Sequence, residues 1–104
     1  MRTIQSYEEF TELAKQDLII LIAKTKTCAV CTPLTDKLID FMKEYESIPA
    51  YQVYLEDVSL FQGQHLVFTV PTILVFSEGR EILRESRFID FAKIKRLFDL
   101  FLGI

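Results

Sequence analysis

Two cysteines separated by two residues are the side chains of this sequence best suited to chemistry. Cys28 and Cys31 are the only cysteines among the 104 residues. A disulfide that closes so short a loop restricts the unfolded chain very little, so stabilisation is not its expected purpose. In a reducing compartment, a C-x-x-C pair is more often a redox couple or half of a metal site.

Metal binding and inert burial are the alternatives to redox chemistry. Zinc normally takes four ligands, and His65 is the only other soft ligand in the chain. His65 lies in a segment without clear periodicity, and we interpret it as an ordinary polar residue. We therefore predict a redox-active cysteine pair, with no metal and no cofactor.

The position of the pair predicts which thiol reacts first. It follows an apolar run and precedes an amphipathic segment, so it lies between the end of a strand and the start of a helix. A free thiol with a pKa near 8.5 is about 3% ionised at neutral pH, and a fall of ~1.5 units makes it about half thiolate. Amide groups and the dipole at a helix start favour this ionisation, so Cys28 is the expected nucleophile and Cys31 the resolving thiol. Lys24 and Lys26 are either solvated strand-end charges or cations that help to ionise Cys28.

Hydrophobic periodicity predicts strands that alternate with helices. Helices are expected near residues 7–15, 34–45 and 91–102 and around Gly63, and strands at 18–23, 51–55, 72–76 and 81–85, with a small strand at 3–5 as an option. Ser6 with Glu9 has the form of a capping box, and Asp90 is a candidate cap of the last helix. Helical crossovers imply parallel pairing, and the closing hairpin makes the sheet mixed.

Charge and hydropathy exclude several classes of partner. The net charge is -3, with acidic and basic residues interspersed, so nucleic acid is not an expected partner. The longest apolar run, Leu18–Ala23, is far shorter than the ~20 residues of a membrane-spanning helix. The first residues carry no apolar stretch typical of a signal peptide, so we expect a cytoplasmic protein that does not bind membranes.

These motifs together resemble the thioredoxin family, and the resemblance extends over nearly the whole chain. It depends on the C-x-x-C pair after a buried strand, on Val70-Pro71-Thr72, with Pro71 40 positions after Cys31, and on the run from Ile73 to Gly79 that enters the hairpin. The resemblance implies an α/β protein with a thioredoxin-like fold, in which a central mixed β-sheet of 4–5 strands is flanked by helices on both faces. Residues 1–104 would form a single thioredoxin-like domain.

The resemblance also implies a site and an activity. In the family, the proline corresponding to Pro71 is cis and faces the cysteine pair, and the backbone at Val70 pairs with an extended substrate chain. Cys28 and Cys31 are then the catalytic residues, and Thr27, Val70 and Pro71 bind substrate. The implied activity is thiol–disulfide exchange that reduces protein disulfides, with a separate reductase of the thioredoxin-reductase type recharging the pair. The alternative is a redox-sensing or partner-binding module with little turnover.

Three positions around the pair depart from the family pattern. Thr27 stands where a tryptophan usually precedes the first cysteine, Ile22 replaces a buried acid, and Gln52 replaces the lysine that partners this acid. The loss of both charged residues avoids an unpaired buried charge. It also removes the usual proton acceptor for the resolving thiol, so slow exchange is expected.

Other departures concern the helix and the groove. Pro33 either kinks its helix or lies in a first turn that Thr32 caps. Arg87 stands where the family commonly has a glycine that lines the groove, and we expect it to narrow the groove or to select acidic partners. Phe101 and Ile104 belong to the core or to an apolar patch for self-association, so a monomer or weak homodimer is expected.

Overall fold

A five-stranded sheet organises the protein, and the computed structural model describes all of residues 1–104. The elements along the chain are β1 (Arg2–Ile4), α1 (Tyr7–Leu13), β2 (Ile19–Lys24), α2 (Cys31–Met42), β3 (Ala50–Tyr54), α3 (Ser59–His65), β4 (Thr72–Ser77), β5 (Arg80–Ser86) and α4 (Phe91–Leu102). The strand order is β1-β3-β2-β4-β5. β3 pairs in parallel with both β1 and β2, whereas β4 is antiparallel to β2 and β5 to β4. The predicted mixed sheet is therefore confirmed.

The central strand β2 is buried along its whole length. Ile19, Leu21 and Ala23 contact one hydrophobic cluster, and Ile20 and Ile22 contact the other. A strand covered on both faces reads as a continuous apolar run, which explains why β2 shows no alternation in the sequence.

Helices cover both faces of the sheet, as expected. The first cluster includes Phe10 of α1 and Phe61 of α3, and the second includes Leu38 of α2 with Ile94 and Phe98 of α4. Full burial of one such side chain contributes about 1.5–3 kcal/mol. No helix is both long enough and apolar enough to cross a membrane.

Local capping signals fix two helix starts. The Ser6 hydroxyl accepts a hydrogen bond from the backbone N–H of Glu9 at 3.1 Å, but the Glu9 carboxylate accepts from the N–H of Gln5 at 2.7 Å rather than from that of Ser6. Only half of the predicted capping box is thus formed. Asp90 caps α4 as predicted, accepting from Ala92 N–H at 3.0 Å.

The predicted second helix is displaced along the chain. Its sequence pattern extends over residues 34–45, but α2 begins at Cys31 and ends at Met42. Tyr45 lies beyond the helix and is nevertheless buried, because its ring packs against Phe98 and its hydroxyl donates to Asp99 at 2.8 Å. Tertiary contacts, rather than helical periodicity, account for the apolar residue at this position.

Candidate active site at one end of the sheet

Segments from both halves of the chain meet at the carboxyl end of β2. Ala23 pairs with Thr72 at the start of β4, and Thr72 also pairs with Ser86 at the end of β5. The turn that carries the cysteines follows β2, and Pro71 immediately precedes β4. The topology therefore places the cysteine turn and the proline at the same end of the sheet.

Cys28 and Cys31 are joined by a disulfide, with their Cα atoms 5.4 Å apart. Cys28 lies in a turn in which its N–H donates to the Thr25 carbonyl at 3.3 Å, and the N–H of Cys31 donates to the Cys28 carbonyl at 3.2 Å. Cys28 is half-buried, whereas Cys31 is only 1% exposed. The two sulfurs are thus unequally accessible to a second molecule.

The start of α2 agrees in part with the second arrangement predicted for Pro33. The cap is Val30, which makes no side-chain hydrogen bond to the helix, so the prediction that Thr32 caps the helix is wrong. α2 is continuous through Pro33, which occupies its first turn. A proline is tolerated there because the first N–H groups of a helix have no intrahelical acceptor.

The three residues predicted to bind substrate lie in different environments. Thr27 is exposed next to Cys28, Val70 is half-buried and packs against the first hydrophobic cluster, and Pro71 is buried. The peptide bond between Val70 and Pro71 is cis.

Exposed apolar side chains surround this end of the sheet. Val30 is 63%, Phe68 75% and Phe88 91% exposed. Phe88 follows Arg87, whose backbone is left-handed with φ 65°. The turn that carries both residues is tied to β4 by a 2.9 Å hydrogen bond between the hydroxyls of Ser86 and Thr72.

The two lysines before the pair have opposite environments. Lys26 is exposed and pairs with Asp57 at 3.0 Å, and this hydrogen bond raises the pKa of Lys26 above its usual range. Lys24 is only 7% exposed, and its ammonium donates to the Thr35 hydroxyl at 3.0 Å. The interpretation of Lys24 as a solvated charge is therefore wrong. Its place two positions after Ile22, on the same face of β2, was the sequence signal for this burial.

Ile22 and Gln52, which replace the family's buried acid and its lysine partner, lie opposite each other on neighbouring strands. Ile22 pairs with Gln52 in the register of β2 and β3, and Ile22 is completely buried. The Gln52 amide donates to the Thr3 hydroxyl at 2.7 Å. The neighbouring strand β1 thus provides the hydrogen-bond partner of Gln52.

His65 ends α3 away from the cysteines. Its ring lies among Phe10, Phe61 and Phe76, with centroid separations of 5.0, 4.6 and 5.5 Å, and its Nε2 is 3.1 Å from the Tyr7 hydroxyl. Burial lowers the pKa of His65 below its usual range, although Glu81 opposes this shift. No group of three or more His, Cys, Asp or Glu side chains is arranged to hold a metal ion.

Comparison with individual relatives, rather than with family models, places the chain in a family. No family model matches the chain. It is 31% identical to Thioredoxin-like protein YdfQ of Bacillus subtilis over 107 aligned positions, which cover 99% of this chain and 94% of that relative. The chain belongs to the thioredoxin family. A thioredoxin of Chlamydia caviae is 26% identical over 84 positions, covering 81% of this chain and 82% of the relative.

Solved structures show that the fold is also that of a thioredoxin. Plasmodium falciparum thioredoxin superimposes with a TM-score of 0.84 at 18% identity, covering 95% of this chain and 97% of that structure. Fasciola hepatica thioredoxin gives a TM-score of 0.82 at 20% identity, with coverages of 94% and 96%. Membership of the thioredoxin family, together with the Cys28–Cys31 disulfide, identifies the protein as a thiol–disulfide oxidoreductase.

Proposed function

We propose that this thioredoxin-family protein reduces disulfides of protein substrates, with Cys28 as the nucleophile and Cys31 as the resolving thiol. The unequal exposure of the two cysteines is the observation that carries the assignment. Cys31 is 1% exposed and Cys28 half-buried, so a second macromolecule can reach only Cys28. Thiol–disulfide exchange requires this access, because the attacking thiolate must align with the bond that it breaks.

The reaction consists of two exchanges. The Cys28 thiolate attacks one sulfur of the substrate disulfide, forming a mixed disulfide and releasing the other substrate sulfur as a thiolate. Cys31 then loses its proton and attacks the Cys28 sulfur, which forms the intramolecular disulfide and releases the second substrate thiolate. The two released thiolates are protonated, so the substrate gains two electrons and two protons, and the cysteine pair loses both.

The substrate-binding surface in this proposal includes Thr27, Val70 and Pro71. An extended substrate segment pairs with the backbone at Val70 and passes Pro71 towards Cys28. The exposed Phe68 and Phe88 supply apolar contact area next to this path. A substrate with apolar side chains near its disulfide fits this surface.

The pair must be recharged after each cycle. A separate disulfide reductase supplies two electrons to the Cys28–Cys31 disulfide, since the protein itself carries no cofactor in this proposal. A cytosolic location belongs to the same proposal, because a reducing compartment keeps the pair available as a dithiol.

A redox-sensing or partner-binding role with little turnover is the second candidate. It is favoured by the completely buried Ile22, which places an aliphatic side chain where the family has a proton-accepting acid. In that case the pair exchanges slowly, and the exposed apolar surface holds a partner in one redox state only.

Reduction of insulin by dithiothreitol separates the two candidates. Catalysis by the wild type that is abolished in Cys28→Ser supports the oxidoreductase that acts on protein disulfides. Equal rates with wild type, Cys28→Ser and no protein refute it and favour the sensing role. Cys31→Ser traps mixed disulfides with substrates, and the double variant Cys28→Ser/Cys31→Ser is its matched control because it has no thiol.

A further inference from the structure

Lys24 is a buried cation without an anionic partner. It is 7% exposed at the end of the central strand, and none of the seven ion pairs of the protein includes it. Its neighbours are the Thr35 hydroxyl at 3.0 Å and the ring of Tyr54, whose centroid is 5.1 Å from Nζ. A buried ammonium costs several kcal/mol of desolvation unless it is compensated. A charge kept in such a place is a candidate for a role in the nearby chemistry.

A chain of two hydrogen bonds connects this ammonium to the backbone carbonyl of Cys31. Thr35 receives the hydrogen bond from Lys24 and donates its own hydroxyl proton to the Cys31 carbonyl at 2.7 Å. Because Thr35 and Cys31 are four residues apart in α2, they lie on the same face of the helix. Both are buried, so this face is turned towards the sheet. The Lys24 ammonium therefore lies against the helix face in which the resolving cysteine is buried.

Lys26, the other lysine at this end of β2, is exposed and compensated. Lys26 pairs with Asp57 at 3.0 Å, and its backbone N–H donates to the Glu56 carboxylate at 2.8 Å. Position 22, where the family has a buried acid, is isoleucine in this chain, so it supplies no carboxylate to the cysteine pair. Lys24 is thus the buried charge on the side of α2 that carries Cys31.

We propose that the buried Lys24 ammonium, held by Thr35, stabilises the thiolate of Cys31 when that residue resolves a mixed disulfide. The inference rests on the proposed function, in which Cys31 is the resolving thiol. Lys24 is a positioning residue and takes no part in the exchange itself. The Cys31 proton passes to the substrate thiolate released in the first exchange, and the positive charge favours the resulting Cys31 thiolate. This thiolate then attacks the Cys28 sulfur, which forms the intramolecular disulfide and releases the second substrate thiolate. The site thereby compensates for the missing carboxylate base by making the thiol more acidic.

Titration of Cys31 alone tests this inference. In reduced Cys28→Ser the only thiol is that of Cys31, and thiolate absorbance near 240 nm as a function of pH gives its pKa. Adding Lys24→Met should raise this pKa by about one unit, a tenfold fall in the ratio of thiolate to thiol. Lys24→Gln should raise it similarly, although glutamine can still donate to Thr35, whereas Lys24→Arg should keep it low.

Controls separate charge from structure. Lys26→Met, which removes an exposed and paired lysine, should leave the Cys31 pKa within about 0.3 unit. Circular dichroism establishes which variants fold, and Lys24→Gln serves where Lys24→Met does not. A Cys31 pKa that is unchanged in the folded neutral variants overturns the inference. So does a pKa that rises in Lys24→Met but not in Lys24→Gln, because the hydrogen bond to Thr35 and not the charge would then be responsible. The titration requires no substrate, so failure of insulin reduction and failure of this inference are distinguishable.

Discussion

The buried hydrogen bond between Lys24 and Thr35 can be tested by removing the Thr35 hydroxyl and measuring the free energy of unfolding. Thr35→Val keeps the size and shape of the side chain but removes the oxygen that accepts from Lys24 and donates to the Cys31 carbonyl. The ammonium remains buried, and its remaining neighbour is the face of the Tyr54 ring. We expect this variant to be clearly less stable than the wild type.

The magnitude follows from the two hydrogen bonds that are lost. The bond to the charged donor contributes about 1.5–3 kcal/mol and the neutral bond to the carbonyl about 1 kcal/mol, so Thr35→Val should cost about 2.5–4 kcal/mol of unfolding free energy. Lys24→Met should cost about 1 kcal/mol or less, because it removes the desolvated charge together with its contact. The double variant replaces both polar groups by apolar ones, and we expect it to be more stable than Thr35→Val alone.

Urea unfolding of the reduced proteins measures these differences. The double-mutant cycle should yield a coupling of about 1.5–3 kcal/mol between Lys24 and Thr35. Thr35→Ser is the matched control, because it keeps the hydroxyl and loses only a methyl group, worth about 0.8 kcal/mol. Free energies that add to within about 0.5 kcal/mol, or a double variant less stable than both single ones, would refute a direct contact of this strength.

Three further predictions concern other parts of the molecule. Because burial lowers the pKa of His65 below the ordinary 6.5, the unfolded chain takes up its proton first as the pH falls. As the pH is lowered through about 6.5, the free energy of unfolding should therefore decrease, and it should level off once the folded protein is also protonated. Urea titrations at several pH values measure this decrease, and His65→Gln should not show it. Asp90→Ala should lower stability by about 1 kcal/mol in the same assay, whereas Asp90→Asn, which still caps α4, should keep most of it. Phe88→Ala, at a side chain 91% exposed, should change stability by less than about 0.5 kcal/mol but lower kcat/KM several-fold for insulin and not for a small disulfide. An equal effect on both substrates would contradict substrate contact by Phe88.

Local signals in the sequence were sufficient for most of the fold. The Ser6 and Asp90 side chains, which cap their own helices, need only residues two or three positions away, so the starts of α1 and α4 could be predicted. The apolar run of β2 similarly indicated a strand between two layers of helices. The end of α2 could not be predicted from periodicity, because Tyr45 is buried by contacts with α4 from the other end of the chain.

The cysteine pair of the candidate site could be predicted from the sequence, but the buried Lys24 and Thr35 beside it could not. The C-x-x-C spacing and the Val-Pro-Thr motif pointed to Cys28, Cys31 and Pro71, which the topology places at the same end of the sheet. The burial of Lys24 was missed because a lysine at a strand end is usually solvated, and only the packing of α2 over β2 covers it. Thr35 gave no signal of its own, since its partners are a strand residue and a backbone carbonyl.

The sheet order also determines when the cysteine environment exists during synthesis. β2 and the following turn leave the ribosome well before β4, although β4 is the strand that lies beside β2. A nascent chain therefore presents both thiols while residues 72–77 are still being translated. In that interval neither sulfur has its folded surroundings, and each is open to oxidants and to other unfinished chains.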